Sequence, residues 1–123
     1  MTKIKLALCQ MNVADDKKAN IKKACLMIGE SVKKNADFII LPEMFNCPYS
    51  NDKFIEYGEE EHDSYTLNTI SRLASKNNVY ILAGSIPERE NDKLYNTSYL
   101  FDKKGSVIGK HRKMHLFDID VKD

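Results

Sequence analysis

The most constraining feature is the four-residue apolar run Phe38-Ile39-Ile40-Leu41, which follows directly on an amphipathic segment and ends at Pro42. A short run with no polar alternation suits a strand covered on both faces, as in parallel sheets. The segment before it places Ile21, Ala24, Cys25, Ile28 and Val32 at three-and-four spacing with lysines opposite, which predicts a helix over 16–34. Asp15 and Asp16 offer N-cap carboxylates, and Asn35 allows a left-handed exit. Ile4 to Met11 is a further apolar run and reads as a first, buried strand. Strand, helix, strand predicts a parallel crossover unit.

The pattern repeats downstream. Asn46 to Asp63 turns polar and aperiodic and reads as a long loop with one helical turn. Ser64 can cap a second helix whose Leu67, Ile70, Leu73 and Ala74 face inward, ending at Asn77 and Asn78 before a strand over 79–83. Two more strand-like runs, 94–101 and 106–110, flank Asp102-Lys103-Lys104-Gly105, where glycine supplies the positive φ of a hairpin. The expectation is α/β: a mixed sheet with helices on one face. No repeat, low-complexity tract or linker divides the chain, so residues 1–123 read as part of a single domain. Two helices are few for such apolar strands, so either the domain is incomplete or a partner covers it.

Composition removes several function classes. The 19 Lys and Arg against 18 Asp and Glu leave a net charge of +1, which gives no reason to expect a nucleic-acid partner. Cys9, Cys25 and Cys47 form no C-x-x-C pair and no zinc-knuckle spacing, which favours a reducing compartment over a disulfide scaffold. The apolar run after Lys3 and Lys5 breaks at Gln10, too early for a signal peptide, and no stretch is apolar enough to span a membrane. The chain therefore reads as cytoplasmic, without a membrane partner.

Few residues invite chemistry on their own. Glu43 follows the apolar strand and Pro42, where α/β sheets bind ligands at the carboxyl ends of strands. Against apolar surroundings its pKa is expected to rise by desolvation, as suits a general base. Lys110 to His115 forms a basic run that ordinarily marks a solvated face, although a lysine at a strand end can also face a developing oxyanion. His111 and His115 stand four apart without a third ligand at matching spacing, so no metal is expected. The five glycines form no phosphate-binding motif, so no nucleotide cofactor is expected. Tyr49, Tyr57 and Tyr65 lie in or beside the long loop, and Met27, Met44 and Met114 read as fillers of core gaps.

Taken together, Leu41 to Tyr49, Gly84-Ser85-Ile86-Pro87-Glu88, Leu94-Tyr95-Asn96-Thr97 and Arg112 to Asp118 resemble the nitrilase superfamily of carbon-nitrogen hydrolases, and within it the omega-amidase branch. The resemblance implies the N-terminal half of an α-β-β-α sandwich. It also implies a Glu-Lys-Cys triad hydrolysing small amides through a thioester, without metal or organic cofactor, and a homodimer in the full-length form. Glu43 matches the general base and Lys113 the oxyanion-stabilising lysine, while Tyr49 falls in the loop this branch uses near its substrate. The implied substrates are monoamides of dicarboxylates such as 2-oxoglutaramate. The family's nucleophile lies some tens of residues beyond the Arg112–Asp118 motif, and none of the three cysteines matches it. Cys47, four residues after Glu43, falls where the family more often has serine. The isolated chain is thus expected to be inactive, with a non-catalytic half-domain that binds a full-length homologue or other partner as the alternative.

Overall fold

The computed structural model describes residues 2–114. A five-stranded sheet runs in the order β1 (Leu6–Leu8), β2 (Phe38–Ile40), β3 (Tyr80–Glu90), β4 (Lys93–Phe101) and β5 (Val107–Arg112). The first three strands are parallel, and the last two are antiparallel additions. The expected mixed α/β sheet is thus present.

Helix α1 (Lys17–Lys33) starts where Asp16 accepts a hydrogen bond from the Ala19 amide at 3.0 Å, as an N-cap should. Asn35 then takes φ 62° and turns the chain into β2. The short helix α2 (Asn51–Tyr57) is followed by α3 (Tyr65–Asn77), capped by Ser64 at the Leu67 amide and closed by left-handed Asn78. Ala24 and Ile28 of α1 join Leu67, Ile70 and Ala74 of α3 over Ile39, Ile81, Ala83, Tyr99 and Phe101. That face of the sheet is the core.

The opposite face carries no second buried apolar cluster among the described residues. Leu6, Phe38, Tyr80, Leu8, Ile40, Leu82 and Leu100 share it by register, with Phe38 stacked on Tyr80. Leu6 and Leu8 are exposed, which corrects the expectation of a buried first strand: β1 is three residues long and lies at the sheet edge. Local apolarity signals a strand but does not show which neighbours cover it.

Three further expectations change. The polar segment 46–63 holds two-turn α2 and a 3-10 turn at Glu61–Asp63, where a single turn was expected. β3 runs on through Glu90, and a hairpin at Asn91 and Asp92, both with positive φ, joins it to β4. The charged residues there hid the strand because their partners are tertiary: Glu88 and Glu90 pair with Arg112 of β5, and Arg89 donates to the Ile55 carbonyl. Met114 is exposed, so it fills no core gap, whereas Met44 is buried. No described helix is long and apolar enough to cross a membrane.

Candidate active site

Glu43 leaves β2 through a junction built from backbone. The Leu41 amide extends the ladder to the Leu82 carbonyl, and Ser85 N–H donates to the Pro42 carbonyl at 3.1 Å. Ser85 also accepts twice, through Oγ from the Met44 amide at 3.1 Å and through its carbonyl from the Phe45 amide at 3.3 Å. Met44 adopts φ 50°, and the pairing of β3 with β4 slips between Ala83 and Ile86, which frees Gly84 and Ser85 to serve β2 instead. A Cβ on Gly84 would lie 2.1 Å from the Leu41 carbonyl oxygen, so only glycine permits this approach.

Held there, Glu43 Oε1 accepts from Asn96 Nδ2 at 2.8 Å and from Lys113 Nζ at 2.9 Å. Asn96 comes from β4, and its carbonyl also receives the Lys113 amide at 2.9 Å, which carries the β4–β5 ladder one residue past β5. The candidate base and the candidate lysine, 70 positions apart, therefore meet at one carboxylate oxygen.

The Lys113 ammonium holds the Glu43 carboxyl below the usual carboxylate range, outweighing the upward push of burial, and the Asn96 amide adds to the lowering. The expected elevation is thereby corrected, because the Glu43 side chain is 45% exposed and paired with a cation. Glu43 raises the Lys113 pKa in turn. At neutral pH the pair is a carboxylate and an ammonium side by side, able to accept a proton and to face negative charge.

Tyr49 is exposed on the loop before α2, edge-to-face with Phe54. Tyr57 is buried, donating to Asp15 at 2.6 Å, while Tyr65 is exposed. Cys47 is buried, its thiol donates to the Pro48 carbonyl, and burial pushes its pKa up to about 12. Burial likewise raises the Cys9 and Cys25 thiols. All three are thiols at neutral pH, poor nucleophiles by protonation state.

The basic run keeps its solvent contact, yet three of its cations are paired with carboxylates. Lys110 and Arg112 turn to Glu88 and Lys113 to Glu43. His111 is exposed, and His115 lies outside the described residues, as do Leu116 to Asp118 of the fourth motif. Among the described residues no group of three or more His, Cys, Asp or Glu could hold a metal ion. Reading the residues one by one assigned no role to Asn96, Ser85 or Gly84. Their available signal was polar or glycine residues interrupting otherwise apolar strands. A hollow on the open sheet face, lined by Phe38, Tyr80, Leu100 and Ile108, lies at the opposite strand ends and has no part in this constellation.

Comparison with known proteins places the geometry in context. Residues 5–123 match the carbon-nitrogen hydrolase family profile. The chain is 44% identical over 125 residues to a chloroplastic omega-amidase of Arabidopsis thaliana, covering 98% of this chain and 34% of that protein. It is 42% identical over 121 residues to the omega-amidase NIT2 of Mus musculus, covering 98% of this chain and 44% of the relative. Among solved structures, Saccharomyces cerevisiae Nit3, described as a member of branch 10 of the nitrilase superfamily, superposes with a TM-score of 0.85 at 39% identity over 93% of this chain and 45% of its own. The chain thus spans less than half the length of these relatives.

Proposed function

Because the chain belongs to the carbon-nitrogen hydrolase family, we propose that it carries the acid-base and charge-stabilising part of an omega-amidase-like site for small amides, with dicarboxylate monoamides such as 2-oxoglutaramate as the substrate class. The observation that carries this reading is the meeting of Glu43 and Lys113 at a single carboxylate oxygen, backed by Asn96. Glu43 takes the proton from an attacking thiol and delivers one to the departing ammonia. It then activates water to hydrolyse the thioester. Lys113 faces the oxyanion that forms on the substrate carbonyl. Tyr49 lines the substrate side of the pair.

Glu43 and Lys113 supply no nucleophile, and the protonated state of buried Cys9 and Cys47 and of partly buried Cys25 supports a nucleophilic cysteine outside these 123 residues. On this reading the domain is completed by sequence beyond them, and the complete protein is a homodimer, as the nitrilase resemblance implies. The 123-residue chain alone is expected to release ammonia from 2-oxoglutaramate no faster than its Glu43→Ala variant. The complete reading frame is expected to lose about 10²–10⁴-fold in rate with Glu43→Gln and about 10²–10³-fold with Lys113→Met. Unchanged rates in both variants would overturn the reading. The exposed apolar sheet face favours a second reading, a non-catalytic half-domain that docks on a longer homologue. A defined complex with that homologue, whose amidase rate is indifferent to Glu43→Ala in this chain, would decide for it.

A further inference from the structure

Glu88 is the one charged residue in the buried set among the described residues, at 2% exposure. Its carboxylate is saturated. Oε1 accepts from Thr97 Oγ1 at 2.7 Å and Arg112 Nε at 2.8 Å, and Oε2 from Lys110 Nζ at 2.7 Å and Arg112 Nη2 at 2.9 Å. The backbone at Glu88 is fixed on both sides, paired with Tyr95 of β4 and bridged to Glu59. Arg112 is held further by Glu90 at 2.8 Å, and its guanidinium lies 3.9 Å from the centre of the Tyr95 ring.

A buried ion pair is weak evidence for stability, since desolvation cancels much of the attraction, and its best-attested use is to fix register. Register matters here because β5 is the edge of the sheet and has β4 as its only strand neighbour among the described residues. The end of an edge strand is where pairing frays. Arg112 lies opposite Thr97, and the next residue, Lys113, bonds through its amide to Asn96 and through its ammonium to Glu43. Successive residues of a strand point to opposite faces. Glu88 thus grips one face of the β5 terminus while Lys113 is presented on the other.

We propose that Glu88 is a positioning residue, whose bidentate clamp on Arg112 fixes the end of β5 so that Lys113 is presented to Glu43. This rests on the assignment of Lys113 above for its catalytic meaning, but the clamp itself is a geometric statement. Arg112 is the partner suited to it, because a planar fork defines orientation where the Lys110 point charge does not.

The test is competitive amine labelling of the complete protein with acetic anhydride at low protein concentration, reading Lys113 against exposed Lys22 by mass spectrometry. Glu43→Gln sets the scale by removing the partner, and Lys113 labelling is expected to rise. Arg112→Met keeps an aliphatic stem against Tyr95 but removes the fork. With Lys113 released, its labelling is expected to rise about threefold, because an ammonium freed from its carboxylate partner loses its proton more readily. Simple electrostatics predicts the reverse, since losing a neighbouring positive charge makes the ammonium harder to deprotonate. Glu88→Gln is expected to act like Arg112→Met, and Lys110→Met to leave Lys113 as in the parent chain. If Glu88→Gln fails to fold, Arg112→Met still decides. Unchanged or reduced labelling in Arg112→Met, with a rise in Glu43→Gln, overturns the clamp alone. No rise in Glu43→Gln overturns the Glu43–Lys113 pairing, and the clamp with it.

Discussion

The two faces of the sheet use the same strands for opposite ends. On the helix side, Ile39, Ile81, Tyr99 and Phe101 are fully buried, and Glu88, itself buried, pairs with the partly exposed Lys110 and Arg112. On the open side, Leu6 and Leu8 lie exposed and Glu43, Asn96 and Lys113 meet at the strand ends. Alternation along β4 separates the two, with Asn96 on the open side and Thr97 on the covered one. The covered face supplies stability, and its rigidity sets the geometry of a partly solvated cluster on the other. That division is what a preorganised site needs, because donors held before the reaction require no rearrangement during it.

The contrast can be broken most decisively by truncating each face. Phe101→Ala is expected to cost about 3–5 kcal/mol, the usual loss for a buried aromatic. Leu8→Ala, at a side chain 73% exposed, is expected to change stability by less than about 0.5 kcal/mol. Urea denaturation of both variants makes the comparison, and equal losses would mean that the open face is covered in solution. A smaller effect is expected at the seam between the faces. Gly84→Ala sets a methyl against the Leu41 carbonyl, and the displaced junction is expected to lose about 1–3 kcal/mol, measured in the same way. A neutral result would show that the β2–β3 junction tolerates a shift.

The smallest difference is electrostatic and separates the two carboxylates by pH. Burial by itself would raise the Glu88 pKa, but hydrogen bonds from Arg112, Lys110 and Thr97 pull it down to about 2 from an ordinary 4.5. A lowered folded-state pKa stabilises the fold above the unfolded value, and that contribution is lost as pH falls through the folded one. Stability is therefore expected to decline between pH 4.5 and about 2, and Glu88→Gln should flatten this limb. Glu43 is shifted in the same direction, yet as an exposed pair it is worth no more than about 1 kcal/mol. Thermal melts of Glu43→Gln across the acid range are expected to follow the parent chain closely, and a flattened acid limb there would contradict the ranking.

Much of the site was legible before any tertiary structure. The position of Glu43 after Phe38–Leu41 and Pro42, the helix caps Asp16 and Ser64, and the turns at Asn35 and Gly105 follow from local rules and are present. The Glu43–Lys113 pair was nominated through the combined motifs, since neither residue alone distinguishes a base or an oxyanion lysine from surface charge. The ionisation of Glu43 is not legible locally, because the cation that outweighs desolvation stands 2.9 Å away but 70 positions on. The continuation of β3 through Glu90 was missed because charged residues oppose strand assignment until their partners on β5 are known.

The sequence by itself determined the order of strand, helix and strand, the inward stripes of α1 and α3, and the nomination of Glu43 and Lys113 as candidate site residues. Periodicity, capping and turn preference act within a few residues, so they are written locally. Only the tertiary structure decided which sheet face is covered, that Lys113 and Asn96 share one oxygen of Glu43, and that Lys110 and Arg112 reach a buried carboxylate. Those facts depend on strand order and register, which bring together residues 22 to 70 positions apart, and no local rule fixes such distances.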